Sequence, residues 1–306
     1  MSEVTGQSFF NGETPHIASG IAFTVVFSFF TIITGTISIW SHQWWFLCSW
    51  GIGLLLEVVG YSGRIWYTLN DTSRSAYVME LVCITVAPCF LMAGIYNIFA
   101  QLVLVYGTQY SYLKPKLYST IFIICDVLSI FIQGAGGGIS SGSRVNSVST
   151  GSNVMIVGLA FQVATMSVFQ LLWYSFIVKI IKEKKQFGDS NFNPNFSHVR
   201  LRKYLNCFFV AISVSVLLIY VRSIYRLIET AEGWSSKIAT KEIYFDILEG
   251  LMISLAGLIM CIFSPGFVYG REAHLKLNNE KAGADGSKSY SQPLDDKDLY
   301  NERLTI

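Results

Sequence analysis

Glu57, Tyr61 and Arg64 are spaced so that a helix would set all three on one face. Arg222, Tyr225, Arg226 and Glu229 repeat that spacing, as do Glu242, Asp246 and Glu249. Asp126 and Gln133 lie seven residues apart, and Glu80 stands alone. Each of these sets falls within, or at the edge of, a long apolar run. An ionisable side chain at bilayer depth costs about 2.5–3.5 kcal/mol even on insertion scales, so it marks a binding or proton-handling site unless it is paired. Three chemistries are open to such a set. Arginines and carboxylates can neutralise one another and fix helix register. A surplus of acids, here seven against Arg64, Arg222 and Arg226, can receive a cationic group. An acid with no basic neighbour in its own run, as Asp126 is, can exchange a proton.

The elements that must position these residues are membrane helices. Of 306 residues 52% are apolar and only 14% are charged, where a soluble chain carries roughly 25%. Mean hydropathy is +0.46. The net charge of +2 offers no basic surface for nucleic acid. About 20 apolar residues cross a core of roughly 30 Å. That length predicts seven spans, at Ile17–Trp40, Trp44–Tyr67, Ala76–Val105, Leu117–Ile139, Asn153–Val178, Tyr204–Ile228 and Ile243–Val268. The fold expected is therefore an all-α integral membrane bundle. It divides the chain into an N-tail (1–16), a seven-helix domain (17–270) and a polar, disordered tail (271–306). Trp40, Trp44, Trp45 and Trp66 fall near span ends, where aromatic rings favour the headgroup layer. Pro88 is expected to kink the third span.

Fifteen of the 22 Lys and Arg residues fall in the connections after spans three and five and in the C-terminal tail. The opposite set holds Arg74, Arg144, Lys237 and Lys241. This bias predicts an extracellular N-terminus and a cytosolic C-terminus. No basic stretch precedes the first apolar run, which then reads as an anchor that stays in place. Threaded in that orientation, the polar sets of spans two, three, four, six and seven converge on the outer half of the bundle, around an outward-facing cavity. The inner half is nearly apolar apart from Asn97, Gln101 and Gln170. Asn70 and Asn195 head glycosylation sequons, the first on the outer side and close to the membrane, the second on the cytosolic side and silent.

The run Gly134-Ala135-Gly136-Gly137-Gly138 has two readings: close helix packing through Gly134-x-x-x-Gly138, or a break in the helix beside a cavity. All six cysteines lie inside spans and read as small buried apolar residues. No lysine stands in the seventh span for a retinal Schiff base. His16, His42, His198 and His274 all lie outside the spans, where they cannot ligate an intramembrane metal. A phosphate-binding lysine loop is absent. Span three ends Leu104-Val105-Tyr106-Gly107, without the acidic–Arg–aromatic triplet of a G-protein-coupled receptor. No internal repeat of the transporter kind is visible. No enzyme, cofactor or metal is called for, and the oligomeric state is left open.

Taken together, the polar sets resemble a known family. Glu57-Val58-Val59-Gly60-Tyr61-Ser62-Gly63-Arg64 resembles the second-span signature of the fungal RTA-like, or lipid-translocating exporter, proteins. Ala87-Pro88 with Ala93-Gly94-Ile95-Tyr96 resembles their third span, and Asp126-Val127-Leu128-Ser129 with Gln133-Gly134 onward their fourth. Arg222-Ser223-Ile224-Tyr225-Arg226-Leu227-Ile228-Glu229 resembles the sixth and is the most specific piece. Glu242-Ile243-Tyr244-Phe245-Asp246 resembles the start of the seventh, and Ser264-Pro265-Gly266 its close. One departure is Glu249-Gly250-Leu251-Met252, where the family usually has a small residue and proline before the Met. The resemblance covers about residues 17–270. It implies a multi-pass plasma-membrane protein of a fungus that exports or translocates amphipathic molecules such as sphingoid long-chain bases or aminosterols, and confers resistance to them. It implies no enzyme. The binding residues expected from the two readings together are Glu57, Tyr61, Arg64, Asp126, Gln133, Arg222, Arg226, Glu229, Asp246 and Glu249. Two rivals remain: a seven-helix lipid-stress sensor signalling through Lys179–Lys203, and a porphyrin or haem carrier using Arg222 and Arg226.

Overall fold

A computed structural model describes residues 16–69, 73–140, 145–188, 191–193, 196, 200, 204–232 and 242–269. Asn70 and Asn195, residues 1–15 and the tail from 270 onward lie outside the described residues. Among the described residues, seven helices are long and apolar enough to cross a membrane: Ile17–Trp40, Trp44–Leu69, Ser75–Tyr106, Pro115–Ser140, Ser149–Phe187, Leu205–Glu232 and Ile243–Val268. Consecutive spans pack on one another, the seventh closes against the first, and the third also meets the sixth. The perimeter is apolar, with Val25, Phe29, Ile32, Phe131, Val157, Leu171 and Val210 all more than half exposed. Such a surface is stable against lipid tails and not against water.

The fifth helix corrects the sequence reading. It runs unbroken from Val145 to Phe187, about 65 Å at 1.5 Å per residue and roughly twice the hydrocarbon core. Lys179, Lys182, Lys184 and Lys185 therefore ride on a helical extension rather than in a loop. Lysine, glutamate and glutamine are good helix formers, and the basic last turn complements the negative end of the helix dipole.

Spans two and seven each contain a π-helical stretch, Leu47–Gly51 and Asp246–Leu251. Apolar periodicity does not register the change. The wider winding breaks the single α face on which Asp246 and Glu249 would otherwise both lie: Glu249 is buried, Asp246 only half-buried. Gly250 beside it lets the Phe23 ring approach so closely that a Cβ would meet Phe23 Cζ at 2.5 Å. The third helix continues through Pro88 without a break.

The glycine run also differs from its expected roles. The fourth helix stays intact to Ser140. Gly136, not Gly134 or Gly138, makes the tight contact: a Cβ there would lie 2.6 Å from the Met155 amide nitrogen and 2.7 Å from the Gly151 carbonyl oxygen. At Gly134 and Gly138 a Cβ would meet nothing within 4 Å. Nor are all the cysteines buried. Cys89 and Cys261 are, whereas Cys48 and Cys207 face outward on the apolar perimeter.

Candidate functional site

One end of the bundle, where spans one, three, five and seven begin, is ionic in its interior. Its centre is Arg222, 2% exposed, on the sixth span. Its Nη2 donates to Glu249 Oε1 of the seventh span at 2.6 Å and stands 3.9 Å from Glu57 Oε1 of the second. The same nitrogen donates to the Ile84 carbonyl oxygen at 2.6 Å. That carbonyl is available for a reason legible in the chain. An α-helix would pair it with the N–H four residues on, and that residue is Pro88, which has none. The proline thus creates an acceptor inside the third span, and the arginine fills it.

Arg226, one turn on, extends the chain of charges. Its Nη1 donates to Glu229 Oε2 at 2.8 Å, and its Nε lies 3.9 Å from Glu249 Oε1. The Tyr225 hydroxyl donates to Glu229 Oε1 at 3.4 Å. Arg64 forms a second buried pair, with Glu80 Oε1 at 2.8 Å, joining spans two and three, and its guanidinium lies 4.3 Å from the centre of the Phe245 ring. Tyr61 is fully buried among Phe23, Phe27 and Phe245. Three arginines thus meet four glutamates, and Glu57 Oε1 and Glu249 Oε2 accept no hydrogen bond.

The fourth span carries a separate polar stripe. Gln133 Nε2 donates to Ser129 Oγ at 2.7 Å and to Gln162 Oε1 at 3.0 Å, and Gln162 Nε2 reaches Cys89 Sγ at 3.2 Å. Asp126, on the same face and 3% exposed, lies near the Tyr96 hydroxyl and the Cys89 thiol, and neither of its oxygens accepts a well-formed hydrogen bond. Because Asp126 compensates no arginine, Asp126→Asn should leave thermal stability in detergent essentially unchanged, whereas Glu249→Gln should lower it. Equal losses in the two melting curves would contradict this division.

The open space lies beside the ionic chain, not around it. A cleft of about 650 Å³ runs between spans three, four and five, lined by Leu81, Val82 and Thr85 on one side and Gly134, Gly137 and Gly138 on the other. A second, narrow pocket of about 10 Å³ shares Leu81, Thr85, Gln133 and Met155 with the cleft and is also lined by Arg226, Glu229 and Thr230. Of the expected binding residues, Gln133 lines both spaces and Arg226 and Glu229 line the smaller one, while Glu57, Tyr61, Arg64, Arg222 and Glu249 are buried and line neither. Sequence reasoning missed Gln162, Thr85 and the Ile84 carbonyl. A lone amide within an apolar span was a signal for the first; the proline four residues ahead was one for the last.

The far half of the bundle is aromatic. Phe99 sits 4.6–5.6 Å, ring centre to ring centre, from Tyr118, Phe169, Trp173 and Phe176. Tyr106 continues the packing to Phe192 and Phe209.

The motifs that build the ionic chain coincide with a family profile. Residues 50–272 match the family described as RTA1 like protein. The chain belongs to the RTA1-like family. Its relatives include the Sphingoid long-chain base transporter RSB1 of Saccharomyces cerevisiae, 34% identical over 295 residues, 88% of the RTA1-like chain and 77% of that protein. Protein RTA1 of the same organism is 32% identical over 216 residues, covering 70% and 63% of the two chains. Protein RTM1 is 28% identical over 214 residues, covering 69% and 65%. None of the three carries an enzyme's name. No solved structure matches the chain. The resemblance read from Glu57–Arg64 and Arg222–Glu229 is thereby borne out as membership.

Proposed function

We propose that this RTA1-like protein moves single-chain lipid amines, of the sphingoid long-chain-base type, across a membrane. One observation carries the reading: a buried chain of charges with more glutamates than arginines, whose last acid, Glu229, lines a small pocket that shares Leu81, Thr85, Gln133 and Met155 with a cleft open to the bundle perimeter. Fixed pairs alone would need no surplus of acid, and buried pairs seldom improve on apolar packing. A cationic headgroup beside Glu229 adds counter-charge at the glutamate of this chain that lines the small pocket. The transporter named among the relatives, at 34% identity, supports the same substrate class.

In this reading the start of the first span faces outward and the basic extension of the fifth faces the cytosol, following the Lys and Arg bias. The ionic half then occupies the outer leaflet of the plasma membrane and the aromatic half closes the cytosolic side. Aminosterols, which also join a cation to a large apolar body, belong to the same class of cargo. The test is transbilayer movement of a fluorescent long-chain base in vesicles containing the purified protein. The expected result is faster movement than in protein-free vesicles, with no acceleration of a long-chain alcohol. Tight binding without any movement would replace transport with a sensor's role.

A further inference from the structure

The geometry points to the cleft between the third, fourth and fifth spans as the seat of one alkyl chain, with the chain's amine at Glu229. This rests on the transport reading above and gives it a location. The volume of about 650 Å³ lies within the range of clefts that hold small ligands. Its walls are of the right kind. Val78 and Val82 line its mouth, 42% and 51% exposed on the perimeter, so a lipid tail can enter sideways from the bilayer. Opposite them, Gly134 and Gly138 leave room that any larger residue would occupy.

The small residues would mean little without the polar end. Gln133, 5% exposed, lines both the cleft and the small pocket, and its amide oxygen has no hydrogen-bond partner. Arg226, Glu229 and Thr230 line the small pocket, with Arg226 paired to Glu229 at 2.8 Å. An ammonium offers three donors and no acceptor, which complements an unsatisfied amide oxygen beside a carboxylate. A phosphate head would meet the Glu229 carboxylate with like charge, and the neighbouring Arg226 is already paired with that carboxylate at 2.8 Å. A single-chain amine is the occupant proposed, and a two-chain phospholipid is the competitor that tests it.

The proposal is tested by photolabelling. A long-chain primary amine bearing a diazirine in its tail is bound to the purified protein in lipid nanodiscs, and labelled peptides are mapped by mass spectrometry. Label is expected on third- and fourth-span peptides holding Val82 and Ile130. Gly134→Leu should cut that label about ten-fold or more, as filling an apolar slot does. It should not change thermal unfolding, because nothing lies within 4 Å of the new Cβ. Glu229→Gln should weaken labelling by the amine but not by the matching long-chain alcohol. Label elsewhere, undiminished label in Gly134→Leu, or equal competition from a two-chain phospholipid would each overturn the site; transport by the wild type in vesicles would then leave the functional reading standing. Absence of both label and transport would remove the two together.

Discussion

Arg222→Met is expected to cost about 3–5 kcal/mol of stability, the usual penalty for stripping one partner from a buried charge set. Three groups lose their counterpart at once. Glu249 Oε1 loses its donor at 2.6 Å, Glu57 loses its nearest cation, and the Ile84 carbonyl, already deprived of a helical partner by Pro88, is left without one. Arg226 cannot replace Arg222, since it is committed to Glu229 at 2.8 Å and stands 3.9 Å from Glu249. The loss should appear as a lowered unfolding temperature in detergent. Neutralising the partners as well, with Glu57→Gln and Glu249→Leu, should recover most of it, because an apolar replacement of a whole buried ion set is often neutral or better. A single variant as stable as the wild type would show that Arg222 is not held as described.

Gly136→Ala should also destabilise, by less than Arg222→Met, although it adds only one methyl group to a glycine-rich run. The new Cβ would lie 2.6 and 2.7 Å from backbone atoms of Met155 and Gly151, and backbone cannot rotate away as a side chain can. The fourth and fifth helices must separate, and overpacking of this kind costs about 1–3 kcal/mol. Alanine's better helix propensity returns at most about 1 kcal/mol. Gly138→Ala, two residues away, meets nothing within 4 Å and should be neutral or slightly stabilising. Melting curves of the two purified variants check this; equal effects would mean that the run acts as a uniform flexible stretch.

Much of the ionic core was readable before any coordinates. The i, i+3 and i, i+4 spacings put Arg222, Arg226 and Glu229 on one helical face, and the seventh span supplied Glu249 as their counterpart. The seven spans followed from apolar length alone. What the linear pattern lacked was winding and void. A π turn leaves hydropathy unchanged, so nothing in the run Asp246–Leu251 revealed that Glu249 would turn inward and Asp246 away from full burial. A cleft is a property of what neighbouring helices do not fill. Gly134 and Gly138 looked like packing residues by spacing, yet the packing falls to Gly136, because only Gly136 faces the fifth helix. The fifth span's length was underestimated because its last turns are polar, and hydropathy stops where helix propensity continues.

The most direct test sets stability apart from transport. Wild-type protein and the Glu229→Gln variant would be reconstituted in vesicles after their unfolding temperatures are shown to be similar, and transbilayer movement of a fluorescent long-chain base recorded for both. The account predicts movement with the wild type and none above the protein-free rate with the variant. A folded variant that moves the lipid as fast as the wild type would contradict it, and would reduce the buried charges to scaffolding.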